Sequence, residues 1–428
     1  MPDLHRLTAA DIARQVRAGE LTAVDVVRSC IERIDAREPI VHAWAHFDAN
    51  AALAQAAAID RSPTKGLLAG VPVGVKDVID TADMPTRYNS AIYADHRPRA
   101  DAACVALVRR AGGIVMGKTV TTEFASRVPG PTCNPHDPEH TPGGSSSGSG
   151  AAVGDFMVPL GFGTQTGGST IRPAAYCGVV GYKPSFNTIN CSGMKHLAES
   201  LDTIGVIGRT VEDCALLVHA VSSRSLPEFA SVLHRAPRIG LCRTSRRNDA
   251  STTTQSFLEA SASALAKCGA HVTDVELPPD FDRLYDTQRL IADFEAARSL
   301  AWEYDNHRDL LSEHMQTSLP KHFVIAREDY TQAMRHAREC RLRFVDVMKD
   351  VDVLLTPSAP DEAPRGLART GDSLFNRNWT LLGAPCVTIP AGRGPQGLPI
   401  GIQFVAPYDE DLRVLACAHW ANRGQTPI

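Results

Sequence analysis

Apolar and polar positions along this chain follow two periods, and the switches between them mark the elements. Thr8-Ala-Ala-Asp-Ile opens a helix with Thr8 as cap and Asp11 at the third helical position, in the manner of a capping box. A second helix begins near Thr22 and sets Val26, Val27, Cys30, Ile31 and Ile34 on one face at helical spacing. The alanine-rich run from Asn50 to Ile59 predicts a third, and Asp101 to Ala111 a fourth, closed by Gly112-Gly113. Short branched runs bounded by glycine or proline predict buried strands instead. They are Gly70 to Ile79, Ile114 to Met116, Ile204 to Ile207, Arg238 to Cys242, Ala270 to Val275, Val351 to Thr356 and Ile400 to Val405. Thr210 to Asp213 caps a helix reaching Ala220, Phe257 to Cys268 is helical, and a closing helix follows Asp409. The stretch 222–236 is polar and less patterned, which predicts a surface excursion.

Helices and strands alternate, with neither an internal repeat nor a low-complexity linker. The reading is α/β: a single large domain over 1–428, with a central mixed β-sheet covered by helices on both faces. Residues 283–349 predict long amphipathic helices that cover a cleft, where substrate preference is set.

Composition narrows the function classes. A formal charge of −4 argues against nucleic acid or an anionic membrane as the main partner. No run approaches the ~18 apolar residues of a spanning helix, and Met-Pro-Asp-Leu-His-Arg-Leu-Thr lacks the pattern of a secretory signal. Eleven cysteines stand singly without a Cys-x-x-Cys pair, which suits reduced thiols and a cytoplasmic location.

Chemistry concentrates between His140 and Pro184, where two glycine-serine loops flank the apolar segment Phe156 to Gly163. Glycine of this density lets backbone N–H groups turn toward a ligand. The serine hydroxyls need a base to become nucleophiles, and these loops hold no suitably placed histidine. Lys76, on a buried strand, is a candidate, since burial lowers a lysine pKa by as much as ~3–5 units. Gly112-Gly-Ile-Val-Met-Gly-Lys-Thr119 fits a phosphate-loop pattern, but helix then strand is the inverse of the order that chemistry needs. Lys118 ends that strand and is expected to face the cleft. His42/His46 and His136/His140 lack a third ligand or a helical setting, so no metal is expected at either pair.

Lys76, Ser145 and Ser169, with their surroundings, resemble the amidase signature family of serine amidohydrolases. The resemblance runs from Gly70-Val-Pro-Val-Gly-Val-Lys-Asp through Gly117-Lys-Thr and Glu123-Phe-Ala to Thr141-Pro-Gly-Gly-Ser-Ser-Ser-Gly-Ser. It continues in Gly-Gly-Ser-Thr-Ile-Arg-Pro-Ala, Cys177-Gly-Val-Val-Gly-Tyr-Lys-Pro and Gly397-Leu-Pro-Ile-Gly-Ile-Gln, in the family's order. The signature core spans about 65–215, and 216–428 completes the sheet and covers the cleft. By this resemblance Ser169 is the nucleophile, Ser145 the bridging serine held by a cis Gly144–Ser145 peptide, and Lys76 the base. Backbone N–H groups of Thr166, Gly167, Gly168 and Ser169 are the implied oxyanion hole. Ser146 is the nearby serine expected to assist the site. No cofactor is implied.

Two departures bear on substrate. Gly163-Thr-Gln-Thr replaces the family's common Gly-Thr-Asp-Thr, and Arg172 stands three residues after Ser169 rather than two. That placement, together with the Gly163-Thr-Gln-Thr-Gly-Gly-Ser-x-Ile-Arg-Pro pattern, resembles the malonamidase-type branch, in which an arginine fork would bind a substrate carboxylate; a structural ion pair is the alternative role. The implied activity is hydrolysis of a small, carboxylate-bearing amide through an acyl-enzyme. The alternatives are the amidase subunit of a tRNA-dependent amidotransferase, needing a partner and an ammonia channel, and a non-catalytic binding protein on the same scaffold. The implied partner is a small-molecule amide, and a homodimer is an open arrangement.

Overall fold

Eleven strands make one mixed sheet in the computed structural model, which describes residues 3–222, 224 and 228–423. They are β1 (Trp44–Phe47), β2 (Pro72–Lys76), β3 (Ile114–Thr119), β4 (Leu160–Gln165), β5 (Val180–Lys183) and β6 (Thr203–Gly208). The C-terminal half adds β7 (Arg238–Leu241), β8 (His271–Asp274), β9 (Val353–Pro357), β10 (Cys386–Arg393) and β11 (Pro399–Val405). Their order is β1-β3-β2-β4-β6-β5-β10-β11-β9-β7-β8, so the two halves join in the middle, where β5 pairs antiparallel with β10.

Side-chain alternation along each strand feeds two apolar layers. Ile114 and Met116 pack with the helices Ala23–Val41, Ala49–Arg61 and Ser147–Gly154. Val115, between them, joins the helices Ala9–Ala18, Ala103–Arg110 and Val211–Ser222 on the other side. The caps follow the sequence: Thr8 Oγ1 accepts the Asp11 N–H at 3.0 Å, and Thr210 Oγ1 that of Asp213 at 3.0 Å. β7 and β8 pair in parallel around the helix Thr252–Lys267, the expected β–α–β unit.

Several elements lay hidden in the pattern. β4 reads Leu-Gly-Phe-Gly-Thr-Gln, β5 Val-Gly-Tyr-Lys, and β10 carries Pro390 and Gly392 at a register irregularity. Glycine and proline punctuate these runs and mask the strands. The first glycine-serine loop becomes helical from Ser147 to Gly154. Its Gly148 lies so close to Ala43 and Val120 that a Cβ would stand 2.2 Å from the Ala43 carbonyl oxygen, so only glycine lets this helix seat against the sheet. The 222–236 excursion is not wholly superficial: Phe229–Val232 is a short helix with Phe229 buried, while 223 and 225–227 lie outside the described residues.

Parallel pairing of β2 with β4 positions the site. Val75 stands opposite Phe162, so Lys76 and Thr164 emerge together at the carboxyl ends of the two strands.

Candidate active site

Every residue of β2 is buried, including Lys76, whose ammonium has no carboxylate partner among the described residues. Burial pulls its pKa from the ordinary lysine range down to about 7; the Asp202 carboxylate opposes this fall and the Arg172 guanidinium adds to it. Lys76 Nζ lies 2.7 Å from Ser145 Oγ and donates to Thr164 Oγ1 at 2.6 Å. A neutral Lys76 therefore has a lone pair for the Ser145 proton while one N–H remains anchored on Thr164. The peptide between Gly144 and Ser145 is cis.

Ser169 lines a cavity of about 1030 Å³. Ser146 N–H donates to the Ser169 carbonyl at 3.3 Å, which fastens the two loops together. The Ser169 hydroxyl makes no hydrogen bond among the described residues, and none links it to Ser145 Oγ in this structure.

The segment preceding Ser169 is held by its carbonyls. Gln288 Nε2 donates to the Thr166 carbonyl at 2.9 Å and Thr380 Oγ1 to that of Gly167 at 2.8 Å, while Arg172 N–H reaches the Gly168 carbonyl at 2.9 Å. Thr166 Oγ1 donates to Asp202, which also accepts the N–H groups of Leu197 and Ala198. The N–H groups of Thr166, Gly167, Gly168 and Ser169 are left without a protein acceptor among the described residues. Four unspent donors beside a serine in one cavity can receive a developing oxyanion. Gly168 is required by space, since a Cβ there would fall 2.3 Å from Asn376 Oδ1.

Gln165 has a definite task. Its Oε1 accepts from the N–H groups of Thr170 and Ile171 at 2.9 and 3.1 Å, and its Nε2 donates to Thr380 Oγ1 at 3.0 Å. An amide supplies both an acceptor and a donor; a carboxylate supplies only acceptors.

Arg172 is buried and lines the cavity. It hydrogen-bonds to the Gly144 carbonyl and to Thr370 Oγ1, its Nε has no partner, and it forms no ion pair among the described residues. Burial pulls its guanidinium down to about 10, so it is still charged at neutral pH. The structural ion pair considered from sequence is absent among these residues.

Two expected site residues lie elsewhere. Lys118 is fully buried but turned away from the cavity: its ammonium reaches the Ile79 carbonyl at 2.7 Å, Thr86 Oγ1 at 2.5 Å and Asp77 at 3.3 Å. Alternation along β3 explains the error, because ending a strand does not decide which face a side chain takes. Ser146 is likewise committed to the Thr164 backbone, accepting its N–H at 3.2 Å and facing its carbonyl at 3.3 Å. It braces the loop and does not line the cavity.

The family profile described as Amidase matches residues 25–415. This chain belongs to the amidase family. It is 32% identical over 470 aligned positions to the glutamyl-tRNA(Gln) amidotransferase A subunit of Rhodopirellula baltica, covering 95% of this chain and 94% of the relative. Among solved structures it is similar to one reported as a vestigial protein complex revealing the origins of an s-triazine catabolic enzyme. That match has 27% identity and a TM-score of 0.89, over 98% of this chain and 99% of the other. It is also similar to the native peptide amidase of Stenotrophomonas maltophilia, at 26% identity and a TM-score of 0.83, over 98% and 96% of the two chains. The chain is thus an amidase-family enzyme acting on amide C–N bonds, built as the expected single α/β domain. In this amidase, Thr164, Asp202, Gln288 and Thr380 join the site without having been singled out from sequence. Thr164 stands inside a signature motif; the other three arrive from later elements and carry no local signal.

Proposed function

We propose that this amidase hydrolyses a small, carboxylate-bearing amide through a Ser-Ser-Lys triad. Ser169 Oγ attacks the amide carbonyl carbon while its proton passes to Ser145 and the Ser145 proton to neutral Lys76. The carbonyl oxygen, now an oxyanion, is met by N–H groups among Thr166, Gly167, Gly168 and Ser169; one such donor is worth ~2.7–4 kcal/mol. The C–N bond then breaks, the leaving amine takes the proton back through Ser145, and an acyl-Ser169 ester remains. Water attacks that ester over the same relay, giving a carboxylate and free Ser169. The single observation behind this reading is the buried Lys76 amine, 2.7 Å from Ser145 Oγ.

The carboxylate preference rests on Arg172, a buried guanidinium that lines the cavity with no counter-ion among the described residues and an unpaired Nε. A substrate carboxylate supplies the missing partner. The malonamidase-type branch is supported by the Gly163-Thr-Gln-Thr-Gly-Gly-Ser-x-Ile-Arg172 pattern alone, since the Rhodopirellula relative is an amidotransferase subunit.

That relative favours a second reading, in which the chain is the amidase subunit of a tRNA-dependent amidotransferase and releases ammonia to a partner. The alignment spans more positions than the 428 residues of this chain, so the relative carries segments absent here. Ammonia release from a panel of amides, assayed with the chain alone and with Ser169→Ala as blank, separates the two. The first reading expects turnover without a partner, and Arg172→Ala to raise KM for carboxylate-bearing amides more than for neutral ones. Equal KM changes would remove the carboxylate clamp; turnover only with an added partner protein would install the second reading.

A further inference from the structure

Away from the cavity, on the outer side of the helix Leu284–Ser299, three side chains of different chemistry converge. His336 and Cys340 stand four residues apart on the helix Arg327–Val347 and so share a face; Asp280 comes from the turn Pro279–Arg283. Cys340 Sγ lies 3.4 Å from His336 Nε2 and 3.7 Å from Asp280 Oδ2, and the three donor atoms all fall within 4.8 Å of one another. Around a tetrahedral zinc ion, metal–ligand bonds of ~2.0–2.3 Å place neighbouring ligand atoms about 3.5 Å apart. We propose that Asp280, His336 and Cys340 form a binding site for a borderline-soft divalent cation of the Zn²⁺ type, with a fourth position open to water.

The surroundings support this. His336 Nδ1 is 2.9 Å from Thr287 Oγ1, whose own proton goes to the Arg283 carbonyl at 2.8 Å. A Thr287 hydroxyl so engaged can accept from Nδ1–H and orient the ring for ligation through Nε2, the usual support of a metal-binding imidazole. Nε2 also lies 3.2 Å from the Asp280 carbonyl oxygen, a hydrogen bond whose place a cation at Nε2 would take. Cys340 is buried against both other ligands, and cation binding displaces the proton of its thiol to solvent. The competitor is Arg343, which is ion-paired to Asp280 Oδ2. Its side chain is 52% exposed and can swing into water. The bound ion would tie the helix Arg327–Val347 to the turn before Leu284–Ser299, the helix whose Gln288 holds the Thr166 carbonyl.

Titration of the full chain with Co²⁺ tests the site, because thiolate ligation gives a ligand-to-metal charge-transfer band. We expect saturation at one equivalent, displacement by Zn²⁺, and loss of the band in Cys340→Ser with an unchanged circular dichroism spectrum. Thr287→Val should weaken affinity about 10–100-fold. Arg343→Ala, a change at a half-exposed side chain, should tighten it. Absence of a one-equivalent band, its survival in Cys340→Ser, or weaker binding in Arg343→Ala would overturn the proposal.

Discussion

Lys76 shows how far one residue's environment decides its chemistry. On the surface its ammonium would hold its proton near pKa 10.4; at the end of β2, with two hydroxyls for company, burial pulls it down to about 7. The active form in the proposed relay is the neutral amine, so kcat/KM should rise with pH through a limb near 7 and level off above it. Asp202 stabilises the charged form, so Asp202→Asn should move the limb to lower pH, and Lys76→Ala should abolish it along with most of the activity. A pH-rate profile that keeps the same limb in Lys76→Ala would show that another group titrates. At this scale the sequence was informative where a residue's face could be deduced: Lys76 among valines had to be buried. It was uninformative for Lys118, equally buried but on the wrong face, and for Asp202, which reaches Thr166 across 36 residues of chain.

Among elements, the segment from Gln165 to Arg172 is the one most constrained from outside. Gln165, Gln288 and Thr380 hold its backbone so that consecutive N–H groups stay unpaired, the preorganisation that oxyanion stabilisation requires. Gly168→Ala forces a Cβ to within 2.3 Å of Asn376 Oδ1 and 2.8 Å of Ser373 Cβ, so this backbone must shift. We expect kcat to fall about 10²-fold or more, the cost of one displaced donor, with little change in KM. Steady-state kinetics of the folded variant checks it, and a kcat within a few-fold of the parent would mean these N–H groups are not used. Sequence periodicity located the amphipathic helices well, because their cores are contiguous in sequence. It missed β4 and the helix Ser147–Gly154, where close backbone approach selects glycine and erases the apolar signal. It passed over the His336–Cys340 pair for another reason: mixed ligands at helical spacing match neither of the His-x-x-x-His and Cys-x-x-Cys patterns considered.

Over the whole molecule, the two halves of the chain are one sheet, and the cavity belongs to both. It is lined by the loop after β4, by residues 125–129 after β3, by the helices after β8 and by the segment before β10. Arg172, Arg127 and Arg369 line it without ion-pair partners among the described residues, which gives the cavity a net attraction for anions. The amidase reading, its carboxylate preference and the amidotransferase alternative all depend on one nucleophile. Treatment with a fluorophosphonate probe, followed by mass spectrometry of the labelled peptide, identifies it directly. The account predicts a single adduct on Ser169, absent in Ser169→Ala and slowed in Lys76→Ala. An adduct on Ser145, or labelling that survives Ser169→Ala, would contradict it.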